Sequence, residues 1–257
     1  GGVVLVYLVL NIIFASGVSN LSGTVNNIKS NLDDTASTSL SPLGTALNGF
    51  GSLIASAGTS SSTTGSVLQT VLIILESLVI IWTLRQLSAG RRVGVKEAYY
   101  HASGPLVPFL LVIGVIFIQF LPLLLGSSFV STILSSAFVS GGALPVFIFS
   151  LFFVLFALWT FYMISSSVFA MYIVTLPEME PRRALRSAKN LVSFRRWSIM
   201  RKLFFLPIFI FIGMAVVVVP LIIFATTLVA PVFFVLSMLS LLFAHTYLYG
   251  IYRNLLE

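Results

Sequence analysis

Six apolar stretches constrain this chain more than any other feature: residues 2–18, 67–87, 104–126, 145–174, 203–226 and 229–252. A bilayer core about 30 Å thick is crossed by about 20 apolar residues in a helix, and each run approaches or exceeds that length. Inside hydrocarbon a chain has to satisfy its own backbone hydrogen bonds, so such runs are helices. The expected fold class is all-α: a polytopic integral membrane protein with six transmembrane helices and short amphipathic surface helices. Composition leaves little room for a soluble alternative. The 257 residues are 58% hydrophobic and 8% charged, against roughly a quarter charged in an ordinary globular domain. A soluble core of this size does not hide that much apolar surface.

The runs also carry local signals. The first is short, with no basic leader and no small-residue cleavage site, and reads as a helix and not a signal peptide. It opens at Gly1 already apolar, and the chain is expected to continue beyond one or both ends. The fourth is long enough to tilt or project into water, and Pro177 predicts its end, because proline disfavours helix in the residue before it. Pro220 predicts a kink in the fifth, which a membrane tolerates. Thr226 to Ala230 read as a tight turn joining the last two spans.

Orientation follows from charge. Every one of the 14 basic residues except Lys29 falls in loops on one side of the six spans: Arg85 to Lys96, Arg182 to Lys202, and Arg253. Basic loops stay cytoplasmic. The same rule accounts for the net charge of +7 without nucleic acid as a partner. Both ends of the chain then face the cytoplasm.

Residues 19–66 form an external segment rich in Ser, Thr, Asn and Gly. Leu21, Val25, Ile28 and Leu32 recur at helical intervals, as do Leu40, Leu43, Leu47, Phe50 and Ile54. The composition alone would suit a flexible linker; the spacing instead predicts two short amphipathic helices on the outer surface, the second starting near Ser39, Ser41 and Pro42, followed by a disordered tract at Gly58–Gly65.

Residues 181–202 read as a basic cytoplasmic surface helix. Pro181 suits a first helical position. Ala184, Leu185, Ala188, Leu191 and Val192 make an apolar face, with Arg182, Arg183, Arg186 and Lys189 opposite or flanking it. Ser193 is expected to cap a further turn leading to Trp197. A basic amphipathic helix with a boundary aromatic lies in the headgroup plane, and no acidic residue occurs between Arg182 and Lys202. Arg182, Arg183, Arg186, Lys189, Arg195, Arg196 and Trp197 are therefore candidate contacts for anionic lipid. The same cations also serve as topology signals, and the two roles are compatible. Lys96 to Ala102 aligns with Arg182 to Ala188, so that Ala98 and Ala102 match Ala184 and Ala188. Small residues at that spacing let backbones approach. The alignment suggests two copies of a span–surface helix–span unit related by an axis along the membrane normal.

Leu176-Pro177-Glu178, then Ala184-Leu185-Arg186-Ser187-Ala188, then Phe194-Arg195-Arg196-Trp197 resemble a broad prokaryotic group. These are the polytopic proteins related to the membrane domain of glycerophosphodiester phosphodiesterases, and the similar YciC-like proteins. The resemblance covers about residues 170–210, and the segment 19–66 departs from it. It implies a six-helix domain in a prokaryotic cytoplasmic membrane and a role near lipid or envelope assembly. The family's acidic position maps to Glu178. No phosphodiesterase catalytic domain accompanies it in this chain.

Ionisable groups inside spans are candidate functional residues. Glu76 lies roughly 13 Å above the inner boundary set by Arg85, at 1.5 Å per residue. His245 lies roughly 12 Å above the boundary set by Arg253 on the same rise. The two share a depth that would allow them to pair, though depth does not say which helices are neighbours, and Asn11 and Gln119 would make a second polar layer. One reading is a proton or substrate relay through Glu76 and His245, extended by Ser165-Ser166-Ser167. The other is interhelical hydrogen bonding, commonly worth about 0.6 kcal/mol per contact in a membrane, with Glu76 neutral or hydrogen-bonded.

Other chemistry finds no motif. There is no cysteine for thiolate ligands or thiol catalysis. Asp33 and Asp34 are adjacent and do not face each other on a helix. His101 and His245 lie at different levels and do not suit one zinc site. Gly141-Gly142 lacks the Gly-Lys-Ser/Thr of a phosphate loop, and no Gly-x-Ser-x-Gly elbow occurs. The expectation is a non-enzymatic membrane scaffold or accessory subunit. It needs no cofactor or metal, and its partners are anionic lipids and other membrane subunits. The alternative is a small transporter or channel using Glu76.

Overall fold

The computed structural model describes residues 17–35, 42–56, 63–91, 93–140, 143–176, 179–193 and 195–256, with Val6 and Val9. Among the described residues the chain is helical without strands. We label α1 (Gly17–Thr35), α2 (Pro42–Ser56), α3 (Thr63–Ser88), α4 (Val95–Ala102) and α5 (Leu106–Ser140). They are followed by α6 (Ala143–Ile173), α7 (Pro181–Val192), α8 (Arg196–Phe224) and α9 (Thr226–Leu256). Five segments are long and apolar enough to cross a membrane: Val67–Ser88, Leu106–Ser127, Ser150–Ile173, Arg196–Phe224 and Thr226–Leu256. Among the described residues the chain is thus all-helical and built around these five membrane-length helices. In the first apolar run, Val6, Val9, Gly17 and Val18 are helical. The rest of that run, Asn11 included, lies outside the described residues, as do Leu40, Pro177, Glu178, Phe194 and the Gly141-Gly142 pair.

Several helices outlast the apolar runs that announce them. Thr63 to Gly65, expected in a disordered tract, form the first turn of α3; residues 57–62 lie outside the described residues. α5 runs on to Ser140. The break between α8 and α9 is not a turn over Thr226 to Ala230 but the single residue Ala225. Its N–H donates to Leu221 O at 2.8 Å, and its carbonyl accepts from the Leu228 N–H at 3.0 Å. A one-residue break leaves few backbone groups unpaired, which an apolar surround penalises heavily. Pro122, Pro207, Pro220 and Pro231 all lie inside helices.

The fold divides into two compact units, residues 1–104 with 205–247, and 105–204 with 248–257. In the first, α1 and α2 pack together and share a core with the distal half of α8 and the start of α9. Leu21, Val25 and Ile28 of α1 and Ala46, Phe50 and Leu53 of α2 meet Val218, Ile222, Val229 and Phe233 there. Phe50 also stands 5.2 Å from the ring of Phe211. The contacts therefore extend along α8 from Phe211 to Ile222, roughly 16 Å of helix at 1.5 Å per residue. The pair packs against the flank of α8 instead of lying on a surface at its end.

The buried face of α2 is rotated from the expected one: Phe50 is buried as its period predicts, but Leu43, Leu47 and Ile54 are exposed, and Ala46, Gly49 and Leu53 are buried instead. A Cβ on Gly49 would stand 2.9 Å from Ile28 Cγ2, so a small residue of α2 lets α1 approach closely beside Phe50.

α3 ends at a turn that sends the chain back along it. Gly90 adopts φ +76°, the Gly90 N–H donates to Leu87 O at 3.0 Å, and the Arg91 N–H donates to Gln86 O at 3.1 Å. This paired closure of the last carbonyls is the Schellman motif. It needs a residue without a Cβ at the left-handed position.

In the second unit α6 packs against both α5 and α7. Phe109, Val112, Phe169 and Tyr172 are fully buried, with Ala184, Ala188 and Val192. The Tyr172 ring stands 5.8 Å from that of Tyr252 and 6.1 Å from that of Tyr249.

Candidate functional site: a basic surface helix and a buried carboxyl

α7 begins with Pro181 at its first turn and an extended Glu180 before it, φ −72° and ψ 145°. A spacing of four residues puts Ala184, Ala188 and Val192 along one face, all at 0% exposure. Arg182, Arg183, Arg186 and Lys189 are exposed on the other side, and Leu185 and Leu191 are half-buried. The three small or branched residues bring α7 close to its neighbour, and the four cations are left facing outward.

The basic helix is shorter than residues 181–202. It ends at Val192, where Ser193 acts as a C-terminal cap and not as the start of a further turn. Its N–H and hydroxyl both donate to Asn190 O, at 3.2 and 2.7 Å. Serine competes well for a local carbonyl in this way. Arg195 sits in the turn, and Arg196 and Trp197 open α8. Arg196 Nη1 donates to the Tyr162 hydroxyl of α6, and its guanidinium lies 4.9 Å from the Tyr162 ring centre. Trp197 is 75% exposed, which in a membrane protein suits an aromatic at the lipid–water boundary.

α4 repeats this arrangement. Its N-cap Gly94 has φ −75° and ψ 146°, almost the geometry of Glu180. Ala98 and Ala102 are buried at 0% and 1%, and α4 packs on the preceding α3 as α7 packs on α6. Here, however, the outer face is mixed, with Lys96, Glu97 and His101 exposed.

α4 also supplies the partner of Glu76. Glu76 is 1% exposed, and its Oε2 accepts a hydrogen bond from the Tyr99 hydroxyl at 2.7 Å. Oε1 has no hydrogen-bond partner. Depth arithmetic had singled out His245, which is buried at 6%, but it did not anticipate Tyr99. Trp82 of α3 stacks on His101 at 5.7 Å and 14°, a second contact that holds α4 against α3.

The three consecutive serines of α6 bond to their own helix. Ser165 donates to Tyr162 O at 2.8 Å, Ser166 to Met163 O at 2.8 Å, and Ser167 to Met163 O at 3.3 Å. Each is satisfied within its own helix. Gln119 carries a buried Oε1 without a hydrogen bond. Among the described residues no three His, Asp or Glu side chains gather as metal ligands.

Three clefts accompany these features. An apolar groove of about 440 Å³ lies between α6 and α8, with Trp197 and Arg201 among its walls. A second apolar groove, about 380 Å³, is lined by Phe205, Phe209, Phe243 and Tyr247. A polar cleft of about 300 Å³ is lined by Trp82, Gln86, Arg91, Glu97 and His101. Glu76 lines none of the three.

Comparison with protein-family models, with curated proteins and with solved structures finds no match to this chain.

Proposed function

We propose that the chain is a non-enzymatic integral membrane scaffold or accessory subunit that presents a basic, lipid-facing surface on the cytoplasmic side. The observation that carries this reading is α7. Its alanines and Val192 are sealed while Arg182, Arg183, Arg186 and Lys189 all point outward. A helix fixed by small residues with a cationic outer face suits attachment to an anionic leaflet. Trp197 and Arg196 continue that face into α8.

The finer topology belongs to the same proposal. Residues 2–18 complete a six-span bundle, the basic loops and both ends are cytoplasmic, and the membrane is the inner membrane of a prokaryote, in keeping with the resemblance to the YciC-like group. The Glu76–Tyr99 bond fastens the surface helix α4 to α3. Burial at 1% exposure and a side-chain partner within the same unit favour this structural role for Glu76 over transport.

The test is retention of lipid. Each cation near an anionic surface contributes about 1 kcal/mol. Replacing Arg182, Arg183, Arg186 and Lys189 together by Gln is therefore expected to weaken association by up to roughly 4 kcal/mol, with helicity unchanged. Native mass spectrometry of the purified protein reads this directly. Unchanged retention of anionic lipid would reduce these residues to topology signals.

A further inference from the structure

The groove between α6 and α8 has a composition that the surface helix alone does not explain. Phe153, Ala157 and Phe161 of α6 face Met200 and Phe204 of α8, and the walls are almost wholly apolar. The rings of Phe161 and Phe204 meet edge-on at 5.7 Å and 73°. Ala157 is the small residue of the α6 wall. From Phe153 to Phe161 the groove follows roughly 12 Å of helix at 1.5 Å per residue, a length suited to one end of an extended hydrocarbon chain.

Its mouth is cationic. Arg201 is exposed and lines the groove, pairing with no carboxylate among the described residues. Trp197 lies one turn earlier. Arg196, next to Trp197 in the chain, is held against Tyr162 of α6. Arg195 and Lys202 are exposed close by, and no acidic residue occurs from Pro181 to Leu256. The second apolar groove, beside Phe209 and Phe243, has no cation in its lining. Apolar walls inside membrane-length helices and a basic mouth at their polar end match one ligand chemistry. The ligand has a hydrocarbon tail and an anionic head, the head paired with guanidinium and the tail against the aromatic walls.

We infer that the α6–α8 groove is a discrete site for a single anionic phospholipid, its acyl chain along Phe153, Ala157 and Phe161 and its phosphate at Arg201 and Trp197. This deepens the lipid-facing reading above and rests on it. A basic surface recruits many lipids loosely; the groove holds one.

The probe is the purified protein reconstituted in vesicles of equal phosphatidylglycerol and phosphatidylcholine, extracted gently and weighed by native mass spectrometry. The parent chain is expected to keep one phosphatidylglycerol. Ala157→Phe fills the groove, and occupancy should fall by roughly tenfold or more. Val154→Trp, on the exposed wall, gives the same reading if Ala157→Phe fails to fold. Arg201→Gln should keep a lipid but lose the preference for phosphatidylglycerol over phosphatidylcholine. Millimolar glycerol phosphate should not displace the lipid; displacement would mean a headgroup site only, and would overturn the groove. Two folded filling variants that keep the same lipid would also overturn it. The α7 quadruple substitution separates the two proposals. Loss there with retention in Ala157→Phe rejects the groove alone, and the reverse pattern rejects the surface helix alone.

Discussion

Tyr99→Phe is the perturbation that most directly tests what Glu76 does. It keeps the ring and removes the hydroxyl, the described hydrogen-bond donor to Oε2. Oε1 already has none, so a carboxyl at 1% exposure is left without a donor. A buried polar group stripped of its partner costs about 1–3 kcal/mol, and interhelical polar contacts in membranes average about 0.6 kcal/mol. A loss of about 1–2 kcal/mol is therefore expected. Glu76→Gln should cost less, because the amide oxygen still accepts from Tyr99. The double change Glu76→Met with Tyr99→Phe should cost less than the sum of its parts, since both polar ends disappear together. Reversible unfolding in mixed micelles, followed by helical circular dichroism, measures all of these. A Tyr99→Phe protein as stable as the parent, or a strictly additive double mutant, would refute the fastening role. So would a Glu76→Gln protein that folds normally yet loses a pH-driven flux in liposomes, because that outcome belongs to a proton relay.

Two glycines on α2 should respond in opposite directions. Gly51→Ala meets nothing within 4 Å and should gain up to about 1 kcal/mol of helix propensity, whereas Gly49→Ala drives a methyl into buried Ile28 and should lower the unfolding midpoint. Gly90→Ala should destabilise by about 1–2 kcal/mol, the cost of a Cβ in the left-handed region, in the same micelle assay. Cysteines at exposed Ser30 and Asn190 should label from opposite sides of the membrane in intact cells, and labelling of both from outside would overturn the proposed orientation.

What the sequence made legible divides along physical lines. Apolar length against bilayer thickness located all five described membrane-length helices, because that signal is a one-dimensional property of the chain. Period also exposed α7, where Ala184, Ala188 and the four cations separate cleanly at 3.6 residues per turn. It was only partly right on α2, where Phe50 is buried as predicted, because hydropathy rewards large side chains while Ala46 and Gly49 are buried too and Gly49 lies against Ile28 of α1. A small residue reads as weakly apolar, yet it is what lets two backbones approach. Tyr99 was missed for a different reason. Rise per residue gives depth along one helix but says nothing of a neighbour that folds back, and α4 folds back through the Gly90 turn. Gly90 itself was visible, between Ala89 and Arg91. Its meaning depended on knowing that the reversed segment returns as a helix beside Glu76.

The two surface helices show how one backbone solution serves two purposes. Both start from an extended residue with nearly the same φ and ψ, and both bury alanines four apart against the preceding long helix. Small residues make that seat almost independent of what the outer face carries. On α7 the outer face is cationic and exposed. On α4 it is mixed, and Tyr99, next to the buried Ala98, turns inward to Glu76. Exchanging these faces is therefore a sharper experiment than deleting either helix. Giving α4 an arginine at Glu97 leaves Ala98, Ala102, Tyr99 and the His101–Trp82 stack in place, so stability should change by less than about 0.5 kcal/mol, as for surface substitutions generally. The variant should nevertheless gain retained anionic lipid in native mass spectra, at about 1 kcal/mol for each added charge. A folded variant with no gain would mean that α4 lies out of reach of the leaflet, and that cationic charge acts only where α7 and the α8 N-terminus present it.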